Sequence, residues 1–146
     1  MPTVHDLLST KSFRKVVTIS PAASVLDAVE TMNGRKIGAL MVTEQDRIVG
    51  IFTERDVLQR VIGEMRRPSA TTVAEVMSRN VVCVPPDTDL DEVSQLMTER
   101  RIRHVPVCDR DGNLLGMISI GDVNAAHATH RDAALSYLND YVYGRV

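Results

Sequence analysis

An eight-residue pattern occurs twice in this chain, and the duplication limits the available folds more than any other feature. Gly50-Ile51-Phe52-Thr53-Glu54-Arg55-Asp56-Val57 shares its skeleton with Gly116-Met117-Ile118-Ser119-Ile120-Gly121-Asp122-Val123. Both run Gly, two apolar residues, a hydroxyl, two variable positions, Asp and Val. The match extends outward. Shifted by about 65 residues, Val16, Val17, Pro21, Met32, Arg35, Ile37, Val42 and Asp46 fall on Val81, Val82, Pro86, Met97, Arg100, Ile102, Val107 and Asp111. One added residue in the second turn keeps Gly50, Asp56 and Val57 in step with Gly116, Asp122 and Val123. A unit of that length buries little surface alone, so the two copies are expected to pack together.

Each unit reads strand–helix–strand–strand–helix. In the first, 16–19 is a short β-rich run ended by Ser20-Pro21. Ser24 caps a helix whose Val25, Ala28, Val29 and Met32 recur with helical spacing, and Asn33-Gly34 stops it. The apolar run 37–43 is too short for a typical helix and reads as a buried strand. A polar turn leads to a strand over 48–52 and a helix from about 54 to 62. In the second unit, 81–84 is a strand ended by Pro85-Pro86, and Asp89 caps a helix bearing Leu90, Val93, Leu96 and Met97. Strands follow over 102–107 and 114–118, joined by the turn Asp109-Arg110-Asp111-Gly112-Asn113, and a helix starts near Gly121. Short capped helices precede both units, the later one with Thr72 and Glu75 at capping-box spacing. The expected division is a first repeat over 1–62, a linker over 63–72, a second repeat over 73–126 and an amphipathic helical tail over 127–146. The tail holds Tyr137, Tyr141 and Tyr143 and is suited to pack on the domain or on a second subunit.

The chemistry lies at the duplicated pattern. Thr53 and Ser119 stand where a helix begins and can cap it. A helix N-terminus with free N–H groups also suits phosphate, and an Asp three residues on can accept from a ribose diol. The plainer reading is a helix cap that binds nothing; two copies in matched contexts favour a ligand. Other classes are poorly supported. The chain is 44% hydrophobic but only 3% aromatic, and its net charge is -2, which argues against nucleic acid and anionic membrane as partners. No run approaches a transmembrane span, and the first residues lack a signal-peptide pattern, so the reading is cytoplasmic. Cys83 and Cys108 make neither a disulfide framework nor a metal spacing and read as small strand residues. His127 and His130 lack a third metal ligand. No nucleophile–base pair, metal cluster or P-loop suggests an enzyme or a catalytic cofactor.

Taken over nearly its whole length, the sequence resembles a tandem pair of cystathionine β-synthase (CBS) domains, a Bateman module of the stand-alone bacterial type. The residues that carry the resemblance are Thr53-Glu54-Arg55-Asp56, Ser119-Ile120-Gly121-Asp122 and Ile102-Arg103-His104-Val105-Pro106-Val107, with the Ser/Pro-Pro starts before each first helix. The resemblance implies an α/β (α+β) fold: two β-α-β-β-α repeats related by a pseudo-twofold axis, packed through their sheets, plus a C-terminal helix. It implies two clefts that bind adenosine-containing ligands: AMP, ADP, ATP, NAD(H) or S-adenosylmethionine. One cleft would use Ile51, Thr53, Arg55 and Asp56 with Val84, Ile102, Arg103, His104 and Val105. The other would use Met117, Ser119 and Asp122 with Ile19, Ser20, Gly38, Ala39 and Leu40. Asp56 and Asp122 would hold ribose, and Thr53 and Ser119 would meet phosphate. Arg55, Arg103 and His104 favour phosphate in the first cleft, where the second has Gly121, Gly38 and Ala39; Met41 at the position of Pro106 departs from the family pattern. The implied role is regulatory, sensing energy or redox state as a homodimer and modulating a partner protein. The alternative is a dimerising adaptor in which nucleotide is only structural.

Overall fold

A computed structural model describes residues 2–10 and 16–128. The first half contains α1 (Val4–Thr10), β1 (Thr18–Ile19), α2 (Val25–Arg35), β2 (Ala39–Glu44), β3 (Arg47–Thr53) and α3 (Glu54–Asp56). Helix α3 widens at once into π-helical turns over Val57–Ile62. A 3-10 turn at Pro68–Ala70 leads into α4 (Val73–Val76), α5 (Leu90–Arg100), β4 (His104–Cys108) and β5 (Leu114–Ser119), and the chain continues as helix α6 over 120–128. Beyond 128 the expected helical tail, with its tyrosines and His130, lies outside the described residues. Among the described residues no helix is long and apolar enough to cross a membrane.

The strands repeat one arrangement. β2 pairs antiparallel with β3, and β4 with β5. Both pairs shift register at matching places, between Val42 and Thr43 and between Val107 and Cys108. β1 runs parallel to β2. Its counterpart, expected as a strand over 81–84, makes only the parallel bridge Val84↔Val107. In the first repeat Met41 N–H donates to Val17 O (3.2 Å), but its counterpart in the second is Pro106, which has no N–H to make the matching bond. The first helix of each repeat ends alike. Lys36 and Arg101 both adopt the left-handed conformation at φ 54°, and their N–H groups turn back to Asn33 and Met97 carbonyls. The expected stop at Asn33-Gly34 is therefore two residues early. Glycine costs an exposed helix only about 1 kcal/mol, and burial of Val25, Ala28 and Met32 holds the last turn.

Two hydrophobic cores form, and each borrows from the other half of the chain. Val25, Ala28 and Met32 of α2 pack with Leu40, Val42, Phe52 and Val61, and with Val73, Val76 and Met77 from the start of the second half. Leu90, Val93 and Met97 of α5 pack with Val84, Val105, Val107, Ile118 and Val123, and with Val4 of α1. Backbone bonds fix the exchange: Val4 N–H donates to Thr88 O (2.8 Å), Val73 N–H to Ala23 O (2.8 Å), and Ile51 and Ser78 bond each other twice at 2.9 Å. Val4 and Val73 are fully buried, worth about 1.5–3 kcal/mol each. A division at 63–72 thus parts the chain but not the cores. The exchange also explains the glycine that opens the first copy of the pattern, where backbone lies over it, and places a flexible side chain over the second. A Cβ at Gly50 would lie 2.6 Å from Met77 Sδ and 2.9 Å from Ser78 O; one at Gly116 would lie 2.9 Å from Leu8 Cδ2. The borrowed segment crosses directly over each glycine.

Candidate functional site between the repeats

β3 delivers the chain to its helix through Thr53, and the local chemistry is a reciprocal cap. Asp56 N–H donates to Thr53 Oγ1 (3.3 Å), and Thr53 N–H donates to Asp56 Oδ2 (2.9 Å). The second copy does the same: Ser119 N–H to Asp122 Oδ2 (2.9 Å) and Asp122 N–H to Ser119 Oγ (3.1 Å). The hydroxyl-x-x-Asp spacing is a capping box in both repeats. Asp56 is 6% exposed, and its two oxygens divide the work. Oδ2 caps the helix. Oδ1 takes a long hydrogen bond from the Ser78 hydroxyl (3.4 Å) and lies 3.7 Å from Arg60 Nε. Arg60 in turn donates through Nη1 to the Val76 and Met77 carbonyls at the end of α4 (3.3 and 3.0 Å). A cation at a helix C-terminus is favourably placed.

A cleft of about 610 Å³ opens beside this cap, with walls from both repeats. The volume is within the range of small-molecule sites. Of the first group expected from sequence, Ile51, Thr53, Arg55, Asp56, Ile102, Arg103 and His104 all line it. Arg55 spans the opening, donating from Nη1 to the Arg101 carbonyl (3.1 Å). That carbonyl belongs to the left-handed residue that ends α5, so the helix stop of one repeat is a handhold for the other. Gly121, at the matching place in the second repeat, has no side chain to make such a bridge.

Two expectations for this cleft are corrected. Val84 and Val105 point into the second core, and the wall is formed by Val81, Val82 and Pro106 instead. Side chains alternate along β4, so Pro106 faces the cleft and Val105 the core, and Val84 is held inward at its bridge to Val107. Sequence reasoning also missed Glu54, Leu58, Gln59, Arg60, Ser78 and Asn80. Arg60 carried a legible signal, since it sits four residues after Asp56 on the same helix. Ser78 and Asn80 carried none, because only the exchange of segments brings them here. The π-helical turns matter too: Gly63 N–H bonds Leu58 O, five residues back, and such widened turns recur at functional sites.

The second expected group is brought together less fully. Gly38 lines the first cleft, where its carbonyl accepts from Glu54 N–H (3.0 Å). Ile120 N–H makes the matching bond to Arg103 O (2.8 Å). Leu40 is buried in the first core, and Ala39 is buried beside it in β2. Ile19, Met117, Ser119 and Asp122 are half-buried, and Ser20 is exposed. Ser20 Oγ accepts from Ala22 N–H (3.2 Å), a local turn contact.

Charge distinguishes the first cleft. Arg55, Arg60, Arg101 and Arg103 face it against Glu54 and Asp56, a formal +2 in a chain of -2. Arginine forks suit phosphate. Among the described residues no group of three or more His, Cys, Asp or Glu is placed to hold a metal ion.

The chain belongs to the CBS-domain family: the family's model matches it twice, over residues 4–63 and 73–128. It is 40% identical to the CBS domain-containing protein CBSX3, mitochondrial, of Arabidopsis thaliana over 126 residues, 83% of this chain. That alignment spans only 61% of the plant protein. It is 32% identical to the CBS domain-containing protein YhcV of Bacillus subtilis over 139 residues, 95% of each chain. Among solved structures, the CBS-domain containing protein ATU1752 from Agrobacterium tumefaciens superposes with a TM-score of 0.81 at 41% identity, covering 86% of this chain and 99% of that one. The CBS domain pair of MJ0100, solved with methylthioadenosine and S-adenosylmethionine, shares the fold at a TM-score of 0.78 and 24% identity, covering 89% and 98%.

Proposed function

We propose that the first cleft binds an adenosine nucleotide and that the chain is a regulatory module rather than an enzyme. The observation that carries the reading is the division of Asp56: one oxygen holds the helix, and the other faces a cleft edged by four arginines. A ribose hydroxyl donating to Oδ1 would take the place of the long Ser78 contact. The phosphates would lie toward Arg55 and Arg103. The +2 cleft favours AMP, ADP, ATP or NAD(H) over S-adenosylmethionine, whose sulfonium is a cation. The second cleft, with Gly121 opposite Arg55, binds the same ligands more weakly. The MJ0100 pair supports the ligand class by likeness of fold alone.

The route of a signal follows from Arg60. It ties Asp56 to the last carbonyls of α4, so a ligand that engages Asp56 Oδ1 competes with that tie and loads the linker. The coupling available is the ligand's difference in affinity for the two arrangements. At 100 times its Kd a ligand supplies at most about 2.7 kcal/mol, enough to bias a balanced equilibrium in a cytoplasmic partner complex. The reading includes a homodimer. Leu58, Ile62 and Met65 are 66, 58 and 93% exposed at near-helical spacing, and this stripe also favours the second reading, a dimerising adaptor with nucleotide as a structural part.

The test is isothermal titration of nucleotide-free protein with AMP, ATP, NADH and S-adenosylmethionine, repeated with Asp56→Asn and Asp122→Asn. Expected is tighter binding of the anionic ligands, lost about 10- to 100-fold in Asp56→Asn, the worth of one or two charge-assisted hydrogen bonds. No binding by folded wild type leaves the adaptor reading.

A further inference from the structure

The chain's two cysteines are 25 positions apart in sequence yet adjacent in space. Cys83 Sγ and Cys108 Sγ lie 2.9 Å apart. Both are free thiols, Cys83 exposed and Cys108 buried. They flank the bridge Val84↔Val107, which is held by Val84 N–H to Pro106 O and Cys108 N–H to Val84 O, both 3.0 Å. These bonds are the whole ladder of the 81–84 segment, whereas β1 makes two paired positions in the first repeat. Val81 and Val82, just before Cys83, line the cleft. The repeat supplies an internal control. Thr18 and Thr43 stand at the positions matching Cys83 and Cys108, so the fold needs no sulfur at either place.

We propose that Cys83 and Cys108 are a thiol–disulfide couple that, when oxidised, fastens the 81–84 wall of the cleft to β4. Closing the bond from 2.9 Å to about 2.05 Å moves the sulfurs by less than a methyl radius. The oxidant is a low-molecular-weight disulfide such as oxidised glutathione. The exposed Cys83 thiolate attacks one sulfur of it, expelling one thiol and leaving a mixed disulfide on Cys83. Cys108, giving up its proton, then attacks Cys83 Sγ and expels the second thiol. Two protein thiols are oxidised to one disulfide, and one small disulfide is reduced to two thiols. Burial and the neighbouring Cys83 hold the Cys108 thiol proton tightly, which makes Cys83 the first nucleophile and Cys108 the resolving group. The couple stands independently of what the cleft binds.

The experiment equilibrates the full chain in glutathione buffers from fully reduced to fully oxidised, quenches with iodoacetamide and weighs the intact protein. Expected is a species lighter by two hydrogens that takes up no alkyl group. Cys108→Ser is expected to stop at one glutathione on Cys83, and Cys83→Ser to stay unmodified. Hydrogen exchange at Val84 and Cys108, whose N–H groups hold the bridge, is expected to slow by about two orders of magnitude on oxidation, the effect of closing a loop of this size. Wild type that stops at a single glutathione adduct, or that cross-links between chains through Cys83, overturns the proposal. An unchanged exchange rate in the bridged protein overturns the fastening of the wall.

Discussion

Replacing Asp56 by alanine tests whether the duplicated motif is first of all a structural cap. The substitution strips Thr53 N–H of its acceptor at 2.9 Å. A hydrogen bond to a charged group contributes about 1.5–3 kcal/mol. The Arg60 ion pair is long, at 3.7 Å, and half-exposed, so it adds about 0–1 kcal/mol. Alanine returns up to about 0.7 kcal/mol through helix propensity. The expected net loss is about 2 kcal/mol. In urea, with a slope of about 2 kcal/mol/M, the midpoint falls by about 1 M at unchanged slope. Because each core is completed by a segment from the other half, one transition followed by circular dichroism should report it. Asp56→Asn keeps a carbonyl acceptor for Thr53 and should lose about half as much. A midpoint shift under about 0.3 M in Asp56→Ala refutes the reasoning, because the carboxylate would then not be holding the helix. The comparison also protects the binding test: a loss of nucleotide affinity in a well-folded Asp56→Asn is about Oδ1 and the ligand, not about the cap.

Two further predictions concern the surface stripe and the thiol. Glutamate at both Leu58 and Ile62 should turn the expected homodimer into a monomer by sedimentation velocity; an unchanged sedimentation coefficient would place the interface elsewhere. Under reducing conditions, stability should fall as pH rises from about 9 toward 12. Burial first, then the hydrogen bond that Cys108 donates to Cys83 and the charge of Cys83, and the charge of Asp109 push the Cys108 thiol from its ordinary 9.0 up to about 12. The unfolded chain loses that proton first, so in this window it binds fewer protons than the folded one and gains on it. Urea midpoints at pH 8 and 10.5 for wild type and Cys108→Ser check the sign; an equal fall in both removes Cys108 as the cause.

Much of the site could be read from sequence because it is local. The hydroxyl-x-x-Asp spacing sets a helix cap wherever the chain goes, and Thr53 with Asp56 and Ser119 with Asp122 meet through bonds spanning three residues. The β-α-β-β-α order followed from apolar runs and caps, and the family followed from their repetition. What failed was whatever depended on a neighbour. The 81–84 run looks like 16–19, but Pro106, standing where β2 has Met41, offers no N–H and leaves it with one bridge. Gly34 looks like a helix stop, but packing carries α2 on to Arg35.

The sequence by itself determined that two like units exist, that each starts a helix from a hydroxyl and closes it on an aspartate, and that their cores are aliphatic. Tertiary structure decided which segment completes which core, and with that why Gly50 must lack a Cβ. It alone brought Ser78 and Asn80 to the cleft and Cys83 to within 2.9 Å of Cys108. The physical reason is range. Caps and periodicity act over three or four residues, whereas a cleft wall and a thiol pair depend on the packing of segments 20 or more residues apart, and no local pattern records that packing.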